Sequence, residues 1–354
     1  MARILYGVHG TGHGHAMRGL ILARSLPGHE FLFVANDDAP AVLEPEFQVA
    51  RLPNLGTAFK NYRVDLAATI RRSLPLLAGF RKYVARALDI IGRFRPDVCI
   101  TDLEPFVPAA AARAGIPCLT LDHQHTLTLC RHNLPASLLW DAALQGLTPR
   151  FLFRPTAANL LISFYQPPVR PGWNAAVKPP ILRQKTLGLV PESGEDILVY
   201  QSNSRDRRLL DFLASSTRRV CHVYGYAETS AKTGNIVFHK RDEDEFGERL
   251  AKCAYVIMGG SHTLMSEALY LGKPVLSIPL LAMLEQRINA LYLQRLGYGI
   301  QASMAELGPG LLADFEQRLP EFRQAIAAGD FCGNAAVFAI VDKFAASRKL
   351  PQFD

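Results

Sequence analysis

The first half of the chain alternates short apolar runs with segments of helical spacing. Arg3–Val8 is an apolar run closed by a glycine-rich turn, Ala16–Leu26 repeats apolar residues at helical intervals, and Glu30–Ala35 is a second apolar run. Asp97–Thr101 follows Arg95-Pro96 and ends beside the acid Asp102. Pro105–Ala114 reads as a helix, and Gly115-Ile116-Pro117 resets the chain into Cys118–Leu121. Runs of this length, with helices between them, predict βαβ units and a parallel sheet covered on both faces.

Near Gln166–Pro180 the pattern stops. Pro167, Pro168, Pro171, Pro179 and Pro180 crowd together with Gly172. Proline neither continues a helix nor donates to a central ladder, so a linker is expected over 166–185. Beyond it the alternation resumes, with strands expected at Ile197–Gln201, Val220–Tyr224, Asn235–Phe238, Tyr255–Met258 and Pro274–Ile278. The expectation is α/β with two doubly wound, Rossmann-like domains facing a cleft: residues 1–165 on the acceptor side and 186–335 on the donor side. A helix over 336–354 would pack back on the first domain. Ligands of such sheets bind beyond the carboxyl ends of the strands.

Composition narrows the class. With 354 residues, 49% hydrophobic and 20% charged, the chain is long enough for about two cored domains, which excludes disordered and collagen-like classes. Six scattered cysteines without a Cys-x-x-Cys pair argue against a disulfide framework or thiolate zinc site and fit a reducing compartment. The N-terminal MARILYGVHG runs straight into a strand with no secretory leader, and no apolar stretch reaches membrane-span length, so a cytoplasmic location is expected. The net charge of +7 suits anionic partners, whether nucleotide phosphates, anionic lipid or nucleic acid, or is a slightly basic surface without meaning. No nucleic-acid partner is expected.

The most informative segment is Gly259–Pro279. A strand ends at Met258, Gly259-Gly260 permit a tight turn, and Ser261 or His262 can start a helix that Gly272 and Pro274 end. A helix N-terminus after such a turn favours phosphate through its free N–H groups and dipole. Thr263 and Glu267, four apart, share a face, and a carboxylate one turn behind a phosphate suits ribose hydroxyls. The bland alternative is an ordinary βα turn with an exposed glutamate. Glu285-Gln286 supply donors and acceptors fit for sugar hydroxyls, or simply a solvated helix start.

The string GGSHTLMSEALYLGKPVLSIPL…EQRINALYLQRLGYG resembles the donor-binding signature of GT-B glycosyltransferases. It is similar to the family that adds N-acetylglucosamine to the lipid-linked peptidoglycan precursor, and to the UDP-glycosyltransferases. YGVHGTGHGHAMR resembles that fold's first loop and helix, and NIVFHKRDEDEFGERL its base-binding stretch, so the likeness spans the chain. It implies that Gly259, Gly260, Ser261, His262 and Thr263 hold the diphosphate and Glu267 the ribose. Glu285 and Gln286 would read the donor sugar, and the backbone near Phe238 and His239 would meet the base, usually uracil. Ser202, Asn203 and Ser204 stand where the family has a second phosphate-facing loop, but without its usual glycines.

The resemblance also implies that His15, which opens a helix after the first loop, is the base for the acceptor hydroxyl, with Asp102 holding its imidazole. His13, His123 and His125 are placed on the acceptor side. A dinucleotide fingerprint competes for the loop: Gly10 and Gly12 fit, and Asp37-Asp38 follow the second strand, but His15 stands where the third glycine belongs. Asp242-Glu243-Asp244 contains an Asp-x-Asp but reads as a solvated helix start, and the histidines show no metal-ligand spacing, so no metal and no cofactor is expected.

The leading expectation is therefore metal-independent, inverting transfer from a UDP-sugar. A nucleotide-sugar 2-epimerase and a non-catalytic nucleotide-sugar binder are the alternatives. Arg63, Arg71, Arg72, Arg81, Lys82 and Arg86 around Leu74-Pro75-Leu76-Leu77 and Phe80 suit an anionic membrane surface and a membrane-borne acceptor. In the bland reading of that segment, Pro75 starts a helix and the leucines face the core.

Overall fold

The computed structural model describes residues 1–353 except 12, 54–58, 61–62, 65, 147–149, 151, 202–206, 227–230 and 241. Ser202, Asn203 and Ser204 thus lie outside the described residues. The chain divides into two compact units, Met1–Arg183 with Cys332–Asp354, and Gln184–Phe331.

Unit 1 carries β1 (Arg3–Val8), β2 (Glu30–Ala35), β3 (Gln48–Arg51), a separate hairpin of β4 (Phe59–Lys60) and β5 (Arg63–Val64), then β6 (Val98–Asp102), β7 (Cys118–Asp122), β8 (Ala158–Ile162) and β9 (Ala175–Lys178). Seven of these form one sheet in the order β3-β2-β1-β6-β7-β8-β9, with every pairing parallel. The apolar runs reflect burial on both faces. Ile4, Tyr6 and Val8 of β1 join one core layer with Phe33, Ile100, Leu119 and Leu160. Leu5 joins the other layer with Val34, Cys99 and Phe106.

The first layer is completed by Val337, Val341 and Phe344 of the helix Asn334–Ser347. Asn334 fastens that helix by accepting from the Leu182 N–H at 2.8 Å and donating to its carbonyl at 2.9 Å.

The proline-rich stretch differs from its reading as a linker. It contains β9, an edge strand paired only with β8, and the prolines flank that strand without entering it. An edge strand tolerates this because one side of its backbone has no ladder to serve. Pro75 lies inside the helix Leu66–Ala78, so it does not start one as the bland reading of that segment had it.

Unit 2 carries β10 (Ile197–Tyr200), β11 (Cys221–Tyr224), β12 (Ala231–Thr233), β13 (Ile236–His239), β14 (Tyr255–Met258), β15 (Val275–Ser277) and β16 (Gly299–Gln301). Their order is β12-β13-β11-β10-β14-β15-β16, and only β12 runs antiparallel. In each sheet the chain winds outward in one direction, then returns and winds the other way. The reversal falls between β1 and β6 in unit 1 and between β10 and β14 in unit 2. Such switch points open a crevice at the strands' carboxyl ends. Among the described residues no helix is long and apolar enough to cross a membrane.

Candidate active site

At the switch point of unit 1, the loop after β1 meets the end of β6. The His9 N–H donates to the Asp102 carbonyl at 2.9 Å, and Gly10 lies against the turn after β2. A Cβ on Gly10 would come within 2.2 Å of the Asn36 carbonyl oxygen, so this approach needs glycine. The loop leads into the helix His13–Ser25, which presents His15 and Arg18, three apart, on one face.

Both side chains converge on the fully buried Asp102. His15 Nδ1 lies 2.7 Å from Asp102 Oδ1, while Arg18 donates from Nε to Oδ2 at 3.0 Å and from Nη2 to Oδ1 at 2.9 Å. Burial raises the Asp102 carboxyl, but the Arg18 and His15 charges and their hydrogen bonds outweigh it and hold the group at about 2. Arg18 Nη2 also lies 2.9 Å from His15 Nδ1. Arginine only donates, and the carboxylate is the nearer atom, so the imidazole proton belongs on Nδ1 toward Asp102. Nε2 then keeps its lone pair and faces the Gln124 amide nitrogen at 3.4 Å. This tautomer is the one a general base requires.

Glu104 stiffens the same edge. Its buried carboxylate accepts from the Phe106 and Val107 N–H groups at 2.9 and 2.7 Å, capping the helix Phe106–Ala114. Burial pushes this carboxyl up to about 7 against the pull of those two bonds.

His123 and His125, expected on the acceptor side, are both buried. His123 Nδ1 donates to the Ile162 carbonyl at 2.9 Å. His125 bridges Asp122 Oδ2 at 2.5 Å and the Phe153 carbonyl at 2.6 Å. Gln124, between them, is the residue that reaches His15. His13 is half-buried at the start of its helix.

At the switch point of unit 2, β14 ends at Gly259-Gly260 and the helix His262–Tyr270 follows, with Ser261 at its N-cap. A Cβ on Gly260 would fall 2.3 Å from the Gln286 carbonyl oxygen, so that position too requires glycine. Gln286 is buried, and its amide oxygen accepts from the Gly260 and Leu280 N–H groups at 3.2 and 3.1 Å. Asn289 donates to the Gly260 carbonyl at 2.9 Å, and Ser277 donates to that of Gly259 at 3.1 Å. Gln286 therefore brackets two loops. Its oxygen is engaged in doing so. Glu285, beside it, is half-buried in the first turn of the helix Leu284–Arg295.

The Ser261 side chain makes no cap hydrogen bond, so it does not claim the first-turn amides of its helix. Thr263 is half-buried there, and His262 is buried. Glu267 lies one turn further in, buried, and accepts from Thr186 Oγ1 at 3.2 Å.

Near the end of β13, Phe238 is half-buried and His239 is buried. His239 sits 2.9 Å from His222 Nδ1 and stacks on the Tyr224 ring. Burial and the Arg249 cation lower its pKa from the usual value. Asp242 caps the helix Glu243–Lys252, accepting from the Asp244 and Glu245 N–H groups, and Asp244 pairs with Lys185. Both acids of the Asp-x-Asp thus act locally.

The sequence profile of glycosyl transferase family 1 matches residues 2–320. The chain belongs to this family, and it is a glycosyltransferase of the GT-B type. No curated protein matches it. Among solved structures it is similar to the glycosyltransferase of kitacinnamycin, with 16% identity over 97% of this chain and 98% of that one and a TM-score of 0.67. The calicheamicin glycosyltransferase CalG4 matches at 17% identity over 98% of each chain, TM-score 0.65. MurG of Acinetobacter baumannii matches at 14% identity over 97% and 100%, TM-score 0.63. Family membership sets aside the dinucleotide reading of the first loop.

Arg18, Gln124 and Thr186 escaped the sequence reading. Arg18 had a signal, its spacing of three from His15. Gln124 had one in its place between two histidines after β7. Thr186 carried none.

Proposed function

We propose that the enzyme moves a sugar from a nucleoside diphosphate sugar, UDP-linked, to an acceptor hydroxyl with inversion and without a metal ion or cofactor. The observation that carries this reading is the 2.7 Å contact between His15 and Asp102 at the switch point of unit 1. His15 Nε2 takes the proton of the acceptor hydroxyl as its oxygen attacks the anomeric carbon. The bond from that carbon to the diphosphate breaks in the same displacement, and the nucleoside diphosphate leaves. Asp102 keeps the imidazole in the required tautomer, and the buried Arg18 holds Asp102 in place.

On the donor side, the first-turn N–H groups after Gly259-Gly260, with Ser261, His262 and Thr263, would receive the diphosphate and stabilise charge on the leaving group. Glu267 would meet the ribose. Glu285 would meet the sugar, with Gln286 holding the loops in register. Phe238 and His239 would line the base.

The test is a panel of nucleotide sugars by thermal shift, followed by nucleoside diphosphate release with acceptors. A ligand at about 100 times its dissociation constant adds about 2.7 kcal/mol. Release that needs no acceptor would favour hydrolysis or a 2-epimerase. Donor binding without release under any acceptor would favour a binding protein. Loss of turnover in EDTA, restored by Mn²⁺ or Mg²⁺, would overturn metal independence.

We also propose that the enzyme works from the cytoplasm against a membrane-borne acceptor. Leu74 and Leu77 are exposed on the helix Leu66–Ala78, and Arg71, Arg81, Lys82 and Arg86 are exposed around them, in support of this. Protein that stays in the supernatant with anionic vesicles at low salt would refute it.

A further inference from the structure

The central strand of unit 2 ends a buried apolar row in a polar residue. Ile197 and Val199 of β10 lie in one core layer. Gln201 is two residues further on, so the alternation of a strand puts it on the same face. It is only 7% exposed. Tyr200 pairs with Met258, so one step along the parallel register Gln201 stands opposite Gly259. A Cβ on Gly259 would fall 3.6 Å from Gln201 Oε1 and 3.2 Å from Gln286 Oε1. The side chain that Gly259 lacks thus leaves a space flanked by two amides.

The backbone of Gln201 is held while its side chain is not. Its N–H donates to the Tyr224 carbonyl at 3.4 Å. Gly225, at φ +91°, packs so close that a Cβ there would lie 2.2 Å from the Gln201 carbonyl oxygen. The side-chain amide makes no hydrogen bond to any described residue. The amides of Gln286 and Asn289 at the same switch point are engaged with the loops. An unpaired buried amide costs free energy that a leucine of similar size would not, and a ligand that supplies the partner recovers that cost.

We infer that Gln201 is a donor-site residue whose Nε2 donates to the phosphoryl group that carries the sugar. The inference rests on the donor reading of unit 2 and adds to it a residue and a contact. The helix His262–Tyr270, which opens beside this space, selects an anion through its first-turn N–H groups, so the complementary role for the amide is that of donor. Gln286, across the space, is next to Glu285, the residue proposed to meet the sugar. The phosphoryl group between them is therefore the outer one of the diphosphate.

The test is calorimetry of the full chain with UDP, dTDP and GDP, and then with the monophosphate of whichever base binds. Gln201→Leu is expected to weaken the diphosphate about tenfold and to leave the monophosphate within about twofold of the parent. Without ligand, its melting temperature should equal or exceed the parent's, because the substitution removes an unpaired amide and no hydrogen bond. Gln201→Glu has the same size but, ionised at about pH 8, can only accept, so it should weaken the diphosphate more than Gln201→Leu does. Diphosphate affinity unchanged in Gln201→Leu, or equal losses for both nucleotides, would overturn the contact. A lowered melting temperature in that variant would reveal a structural role and overturn it as well. Parental affinity in Gln201→Glu would remove the donor role of the amide. If the parent binds none of the diphosphates, the donor reading of unit 2 falls and the inference with it. If parent and Gln201→Leu bind alike, that reading stands and only Gln201 is released from it.

Discussion

The two switch points share a topology and differ in chemistry. In unit 1 the crevice is furnished with ionisable side chains: His15, Arg18 and Asp102 are locked together within 3.0 Å. In unit 2 it is furnished with backbone, and its polar side chains, Gln286, Asn289 and Ser277, are used to hold that backbone still. The difference follows from what each half would handle. Moving a proton requires a titratable group with a fixed tautomer, whereas receiving a diphosphate requires only preorganised N–H donors and room for close approach.

The sharpest way to break this contrast is to remove the base. His15→Ala is expected to lose about 10²–10⁴ in turnover while nucleotide-sugar thermal shifts stay as in the parent. Activity within a few-fold of the parent would end the assignment. Arg18→Met should cost about 3–5 kcal/mol of stability in denaturant unfolding, since it strands a buried carboxylate. A near-neutral result would mean that Asp102 finds other partners.

On the other side, Gly260→Ala drives a methyl group into the Gln286 backbone. It should weaken donor binding by more than Glu267→Ala, for which about 1–3 kcal/mol is expected from calorimetry. The reverse order would place the weight on the carboxylate and not on the backbone cradle.

The smallest effect concerns Glu104. Its folded carboxyl titrates near 7, above the ordinary glutamate value of 4.5. Its contribution to stability is therefore fully present below pH 4.5 and lost as pH rises through about 7. Glu104→Gln should flatten the fall of melting temperature over that window, and a parallel fall in both proteins would remove the explanation.

The parts legible in the sequence were those where one physical demand dominated. β1, β2, β6 and β7 announced themselves because burial on both faces leaves almost no polar residue in them. The Gly259-Gly260 turn did so because close backbone approach at Gly260 admits no other residue. β9 was hidden because proline at its flanks gives the same signal as a linker, and β16, three residues long, is too short to show a period. Arg18 was hidden because an arginine on a helix is usually solvated, and only the fold brings it to Asp102. The burial of His123 and His125, and their hydrogen bonds within the loop that carries Gln124, gave no signal in the sequence either.

The closing helix Asn334–Ser347 ties the order of synthesis to the order of folding. Unit 2 is threaded into unit 1 as an insertion of Gln184–Phe331, and Val337, Val341 and Phe344 fill a layer that β1 begins. A ribosome therefore releases the whole of unit 2 before the first unit can finish its core. The chain that emerges first matures last, and its exposed layer waits for the final turn of helix. Closing so long a loop costs little extra entropy, because that cost grows only logarithmically with length. A premature stop before Asn334 would thus leave unit 2 whole and the unit bearing His15 open along one face.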